Sequence, residues 1–224
     1  MLVDTRQRLL DIAEQLFAER GFYGVSIAAI ASEVGFTKQA LLHYFNSKER
    51  LYGAILQRIS DDFEDKQTEA EQACEEPTER LIKFYAAIAE PTQINTRRTR
   101  LLMRELLDNN ARASKTENWY LRDFLERLIG MVRAIESLQT LSREEALAFA
   151  YQLLGAVNYF LISTHTLKGI LGADVFDAVS KQFFLQLTIL IDSRISSNTL
   201  ALEARAKGLQ TNTSGFHQHS TEKK

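Results

Sequence analysis

The sequence predicts an all-α protein: an N-terminal three-helix unit followed by a larger helical bundle. Three observations carry this. Apolar residues recur at a helical period through almost every segment, beginning with Leu9, Ile12, Ala13, Leu16 and Phe17. Only 2 Pro and 10 Gly punctuate 224 residues, too few for the tight turns of a sandwich or barrel. A lone cysteine, Cys74, excludes a disulfide framework and any multi-cysteine zinc site, and fits a reducing cytoplasm. With 45% apolar and 25% charged residues, the composition is that of a soluble chain able to bury its own core.

The elements follow in order. The first stripe ends at Arg20-Gly21, where Gly21 suits the left-handed position past a helix end. Ser26 can cap a second helix bearing Ile27, Ile30, Ala31 and Val34, and Gly35 breaks that period. Thr37 can cap a short third helix whose inner face is Leu41 and Phe45; Asn46-Ser47 stops it. Ser47 then caps a fourth helix that opens with Lys48, Glu49 and Arg50. Residues 61–80 carry nine acids against Lys66 and Arg80, which reads as a solvated helix face and loop. Helical periods resume over Leu81–Ala89, Arg98–Leu107, Trp119–Leu138, Glu144–Thr164 and Val175–Ser193. Ser142 and Glu145 form a capping box ahead of the long apolar helix, and Lys168-Gly169 and Leu171-Gly172 mark a turn after it. This divides the chain into residues 1–50, 51–195 and a polar C-terminal segment 196–224, with composition predicting disorder from about residue 208.

The net charge of −2 announces no basic field, and residues 1–60 hold seven bases against six acids. The N-terminus lacks the apolar core of a signal peptide. Residues 146–164 approach the length of a membrane span, but Gln152 and Asn158 interrupt them and no basic loops flank them. A buried helix, apolar nearly all round, is the expectation, with no membrane contact.

The second and third helices have the spacing of a helix-turn-helix, whose second helix enters the major groove of double-stranded DNA. Its outer face carries Lys38, Gln39, Leu42, His43 and Tyr44. Lysine and glutamine read purine edges, while His43, Tyr44 and Lys48 reach phosphates. Lysine at the start of the fourth helix opposes the helix dipole, yet beside free N–H groups it makes an anion clamp.

The run A-x-x-L-F-x-E-x-G-F-Y-G-V-S-I-x-x-I-A-x-x-V-G-F-T-K-Q-A-L-L-H-Y-F-N-S-K-E-R-L within Leu9–Leu51 resembles the DNA-binding domain of the tetracycline-repressor (TetR) family. Gly21, Ile30, Ala31, Gly35, Thr37, Leu41, Tyr44, Phe45, Lys48 and Leu51 match its pattern. The resemblance implies DNA contacts from Ser26, Thr37, Lys38, Gln39, Leu42, His43, Tyr44 and Lys48, with Phe45 in the core. It departs at Leu42, where the family often has tyrosine, and at Ala28, where some members place a polar contact. Leucine cannot donate to a phosphate but can meet a thymine methyl. The resemblance also implies a transcriptional regulator, a repressor released by a small-molecule effector held among the middle helices. Wall candidates there are Phe84, Tyr85, Ile88, Met103, Leu107, Trp119, Tyr120, Phe124 and Leu128, with plain core the alternative use of such residues. Arg97, Arg98, Arg100 and Arg104 could neutralise an anion, and Glu90, Glu105 and Glu126 could pair with a cation.

Two helices with wide apolar faces suit a four-helix bundle built from two chains, so a homodimer is expected. Its candidate contacts are Leu154, Val157, Phe160 and Leu161 on one helix and Phe183, Phe184, Leu187 and Ile191 on the other. The rival classes are an enzyme and a helical adaptor without regulated DNA binding. No G-x-S-x-G, P-loop, G-x-G-x-x-G or H-E-x-x-H supports catalysis or a cofactor. His43 has no second ligand at metal spacing, His165 reads as a satisfied interfacial histidine, and the acids around Cys74 disfavour a reactive thiolate.

Overall fold

The computed structural model describes residues 5–108 and 120–206, and every regular element among them is helical. In chain order these are α1 (Thr5–Arg20), α2 (Ile27–Val34), α3 (Lys38–Phe45), α4 (Lys48–Ala73), α5 (Pro77–Ala89), α6 (Gln93–Asp108), α7 (Arg122–Arg133), a 3₁₀ turn (Glu136–Leu138), α8 (Arg143–Leu171) and α9 (Ala173–Ala206).

The sequence signals set the short helices where expected. The hydroxyls of Ser26, Thr37 and Ser47 accept from the N–H groups of Ala29, Ala40 and Arg50, each at 3.1 Å. Gly35, at φ +79, turns the chain out of α2 through a conformation in which a side chain would be strained. Ser142 and Glu145 close a reciprocal box at the start of α8. The long helices differ from expectation at their ends. α4 runs on to Ala73, because Gln67 and Ala70 are buried and anchor its acidic last turns. α5 starts four residues before Leu81, with Pro77 in the first turn where its missing N–H costs nothing. The helix read as ending at Leu138 stops at Arg133 and gives way to the 3₁₀ turn. Gly169 lies inside α8, which ends only at Gly172. α9 continues past Ser193 to Ala206.

Two buried clusters organise the molecule. One joins α1, α2, α3 and the first half of α4, with Phe17, Leu41, Leu51 and Ile55 at its centre; Leu101 and Leu102 of α6 complete it. The other joins α5, α7, α8 and α9 around Phe84, Tyr85, Leu128, Leu153 and Phe176. α4 serves both: Leu51 to Ile59 enter the first cluster, Ala70 enters the second, and Phe63 packs against each. α8 is long and apolar enough to cross a membrane by length and composition. Ala146, Phe149, Ala150, Leu153 and Val157 are nevertheless buried, against the other helices of the second cluster.

Candidate nucleic-acid interface and adjoining cavity

α3 is short because its sequence offers only two inward anchors. Leu41 and Phe45 are buried, one turn apart, against α1, α2 and α4. Lys38, Gln39, His43 and Tyr44 are therefore turned outward and exposed, while Leu42 is half-buried at the edge of the cluster. Ser26 and Thr37 are exposed at the N-termini of α2 and α3. Their oxygens accept the capping bonds, which leaves each hydroxyl proton to donate outward. Lys48 opens α4 with its ammonium 4.3 Å from the Phe22 ring centroid, so its stem is held against the end of α1. The guanidinium of Arg6 lies over the Phe45 ring at 5.3 Å. One side of the molecule thus presents donors of the types that read base edges and clamp phosphates, on a rigid short helix.

Behind this face, a charged joint ties the first helix to the body. Glu14 of α1 is fully buried and receives Arg58 of α4 and, at 2.9 Å, Nε of Arg97 of α6. Arg98 is 7% exposed; its Nε lies 3.7 Å from Glu14 and its Nη1 2.7 Å from Asp62 of α4. Burial pushes the Asp62 carboxyl up, but Lys66 and Arg98 outweigh this and hold it below the usual carboxylate range. Arg104 donates to the carbonyls of Ala18 and Glu19 at 3.1 and 2.9 Å, capping the end of α1 from α6.

Beside the joint opens a cavity of about 1230 Å³ between α4, α6, α7 and α8. Its walls are mainly apolar: Tyr52, Leu56, Phe63, Ile88, Leu102, Met103, Tyr120, Phe124, Ile129, Leu154 and Val157. Arg98, Asn95, Thr99 and Asn158 supply polar groups. Gly53 faces the Tyr120 hydroxyl here, and a Cβ in its place would make that side chain shift. Among the described residues no group of three His, Cys, Asp or Glu is placed to hold a metal ion.

The N-terminal unit has known counterparts. The family profile of bacterial regulatory proteins of the tetR family matches residues 9–55, the stretch that forms most of the first cluster. Residues 9–55 are thus a TetR-family DNA-binding domain in sequence. The transcriptional repressor NicS of Pseudomonas putida is 27% identical over 186 residues, spanning 81% of this chain and 87% of that protein. The repressor KstR2 of Rhodococcus jostii is 44% identical over 57 residues, but these cover only 25% of this chain and 28% of that one. In fold, the chain is similar to the fatty acid degradation regulator FadR of Bacillus halodurans, with a TM-score of 0.62 at 16% identity over 84% of this chain and 96% of that one. In its N-terminal domain and in its fold the chain is thus similar to TetR-family transcriptional regulators.

The wall candidates separate into three groups. Ile88, Met103, Tyr120 and Phe124 line the cavity. Phe84, Tyr85 and Leu128 are fully buried in the second cluster, outside the lining; the Tyr85 hydroxyl donates to the Ala150 carbonyl at 2.7 Å, and burial pushes its pKa far up. Leu107 is 75% exposed, and Trp119 lies outside the described residues. The lining from α4, Tyr52, Gly53 and Leu56, escaped sequence reading because those residues look like ordinary core of the first cluster. Gly155 and Asn158 also line the cavity; two non-bulky or polar residues in an apolar helix were the available signal. Of the charged candidates, Arg97 and Arg104 are committed to α1, whereas Glu126 pairs with Arg143 at the surface. Hydrogen bonding from Arg143 holds the Glu126 carboxyl low.

The dimer candidates differ in burial within the single chain. Leu154, Val157, Phe160, Leu161, Leu187 and Ile191 are all packed within the single chain, and Phe183 and Phe184 are half-buried beside them. Phe160 stacks between Phe176 and Phe183, with centroids 5.9 and 4.1 Å away. Wide apolar faces on α8 and α9 exist because these helices bury one side against each other and the body. The apolar residues they leave exposed are others, among them Tyr159, Leu185, Ile189 and Leu190.

Proposed function

We propose that the protein is a cytoplasmic, homodimeric repressor that holds a palindromic DNA operator with α3 and releases it when a small molecule enters the cavity. The carrying observation is the outward face of α3, where Lys38, Gln39, His43 and Tyr44 stand exposed over buried Leu41 and Phe45. In this reading Lys38 and Gln39 contact bases, and Leu42 meets a thymine methyl. Ser26, Thr37, His43, Tyr44 and Lys48 hold the phosphate backbone. Residues 1–50 form the DNA-binding head, residues 51–195 the effector and dimerisation body, and residues 196–224 a polar terminal segment. NicS and KstR2 are named repressors, which favours repression, and no catalytic step belongs to the reading. The adjoining cavity favours an effector: it touches α4 and α6, the two helices that enter the DNA-binding head.

Selection from random duplexes at a stated salt concentration tests the DNA-binding part. An inverted repeat is expected, with half-sites about one helical turn apart. Recovery of no preferred sequence would overturn it. The dimer rests on Tyr159, Leu185, Ile189 and Leu190, which suit a two-chain four-helix bundle. Leu190→Glu is expected to shift sedimentation from dimer to monomer with helix content kept. A charge at the buried Leu187 should instead unfold the chain. A wild-type monomer at micromolar concentration that still binds the palindrome would reject the bundle.

A further inference from the structure

The cavity's chemistry points past "small molecule" to a class, and this step rests on the effector reading above. Six charged side chains stand at its mouth: Arg50, Arg122 and Arg143 against Glu49, Glu105 and Glu126. They balance, and five of the six are solvent-exposed, so none selects a ligand by charge. Arg98 differs. Among the described residues it is the buried charge in the lining; its Nη1 lies 2.7 Å from Asp62, while its Nε stands 3.7 Å from Glu14, beyond hydrogen-bond distance. Its carboxylate neighbours are shared. Glu14 lies closer to Arg58 and Arg97 than to Arg98, and Asp62 also holds Lys66. Among the described residues of the joint, Arg58, Lys66, Arg97 and Arg98 face Asp11, Glu14 and Asp62: four cations against three carboxylates. Arginine cannot shed its proton to relieve this imbalance. A buried charge calls for a partner, and a guanidinium fork matches a carboxylate or similar oxyanion.

We propose that the cavity takes an amphiphile with a large apolar body and one anionic head, and that the head pairs with Arg98. The volume of about 1230 Å³ and the walls of Phe63, Leu102, Met103, Phe124 and Leu154 take the apolar body. The head occupies the position that balances the joint. Because Arg98 also stands beside Glu14 and Asp62, an anion there draws it away from α1 and α4; α4 packs on α3, and α1 packs on α2, which holds α3.

Binding to the full-length protein tests this by titration calorimetry below micellar concentrations. The probes are dodecanoate, cholate, dodecanol and dodecyltrimethylammonium. At least one of the two anions is expected to bind at least tenfold more tightly than the neutral and cationic chains. Arg98→Gln should lose at least tenfold for that anion while changing dodecanol binding less than twofold. Arg98→Lys, which keeps the charge and guards against a folding defect, should retain part of the preference. Gly155→Phe, at a lining position where a Cβ meets nothing within 4 Å, should block all probes with helix content unchanged. Equal anion binding by Arg98→Gln, or a preference for dodecanol or dodecyltrimethylammonium, would overturn the anionic class yet leave a ligand-binding cavity standing. Binding of none of the four would overturn the class and count against the effector reading itself.

Discussion

The head and the body are both built from helices, but different forces end those helices and bury their charges. In the head, α2 and α3 have eight residues each, and hydroxyl caps from Ser26 and Thr37 fix their starts. In the body, α5 and α7 lack a side-chain cap bond, and α8 and α9 reach 29 and 34 residues. An eight-residue helix is unstable alone, so the head needs local signals and buried anchors, four on α2 and two on α3. A long helix is stabilised by the neighbour it packs on, and its ends drift to wherever that neighbour stops. The head therefore presents a fixed exposed face on α3, whereas the body encloses space. Between them, α4 and α6 belong to both, and the buried charges sit there, at Glu14 and Arg98.

If that joint is what makes two regions one molecule, removing Glu14 should have the largest effect. Glu14→Ala leaves Arg58, Arg97 and Arg98 facing one another without their common carboxylate. Breaking a buried pair from one side costs about 3–5 kcal/mol, and urea denaturation should show a loss of that size. A loss below about 1 kcal/mol would mean that water screens the joint. Core truncations come next. Leu41 in the head and Leu81 in the body are each fully buried, and changing either to Ala should cost about 2–5 kcal/mol. Because α4 runs through both clusters, each change should move one shared unfolding transition. A separate early transition in Leu41→Ala would show that the head melts alone.

Smaller effects sharpen the head itself. Lys38→Ala should cost about 1–3 kcal/mol at one base position and alter the preferred sequence. Lys48→Ala should weaken all sequences alike and lower the salt slope by about one. Identical, uniform losses in both would erase the division between base and backbone contacts.

The same contrast explains what the sequence made legible. Caps are local, so Ser26, Thr37, Ser47 and the Ser142–Glu145 box could be placed by eye, and with them the exposed face of α3. Helix ends set by packing could not: Gly169 looks like a stop but lies inside α8, where a helical glycine is tolerated at a cost of about 1 kcal/mol. Periodicity shows which residues of α8 and α9 are apolar, not which neighbour covers them. Phe160 and Leu187 thus read as dimer contacts although this chain's own helices bury them. The cavity was half visible for the same reason. Aromatic residues on α5 and α7 look alike in sequence, and only the packing separates lining Phe124 from buried Phe84. Arg98 stood among four similar arginines, and its partners Glu14 and Asp62 are distant in the chain.

The smallest expected effect separates joint from surface by pH. Asp62 has its carboxyl held below the ordinary value of 3.8, as Lys66 and Arg98 outweigh the opposing effect of burial. A group depressed in the folded state stabilises it at pH above the unfolded value. As pH falls from about 3.8 toward the folded value, the unfolded chain takes up the proton first, and that contribution is lost. Stability should therefore fall with pH in this window, and Asp62→Asn should flatten that part of the curve. Glu126 is also depressed, chiefly by its hydrogen bond from Arg143, but the pair is exposed. Salt screens exposed pairs far more than buried ones. In 0.5 M salt, Glu126→Gln should leave the acid limb of the denaturation curve unchanged while Asp62→Asn still flattens it. If the Asp62→Asn curve instead runs parallel to the wild type throughout, Arg98 is not held by Asp62 in solution, and the joint reduces to Glu14 and its arginines.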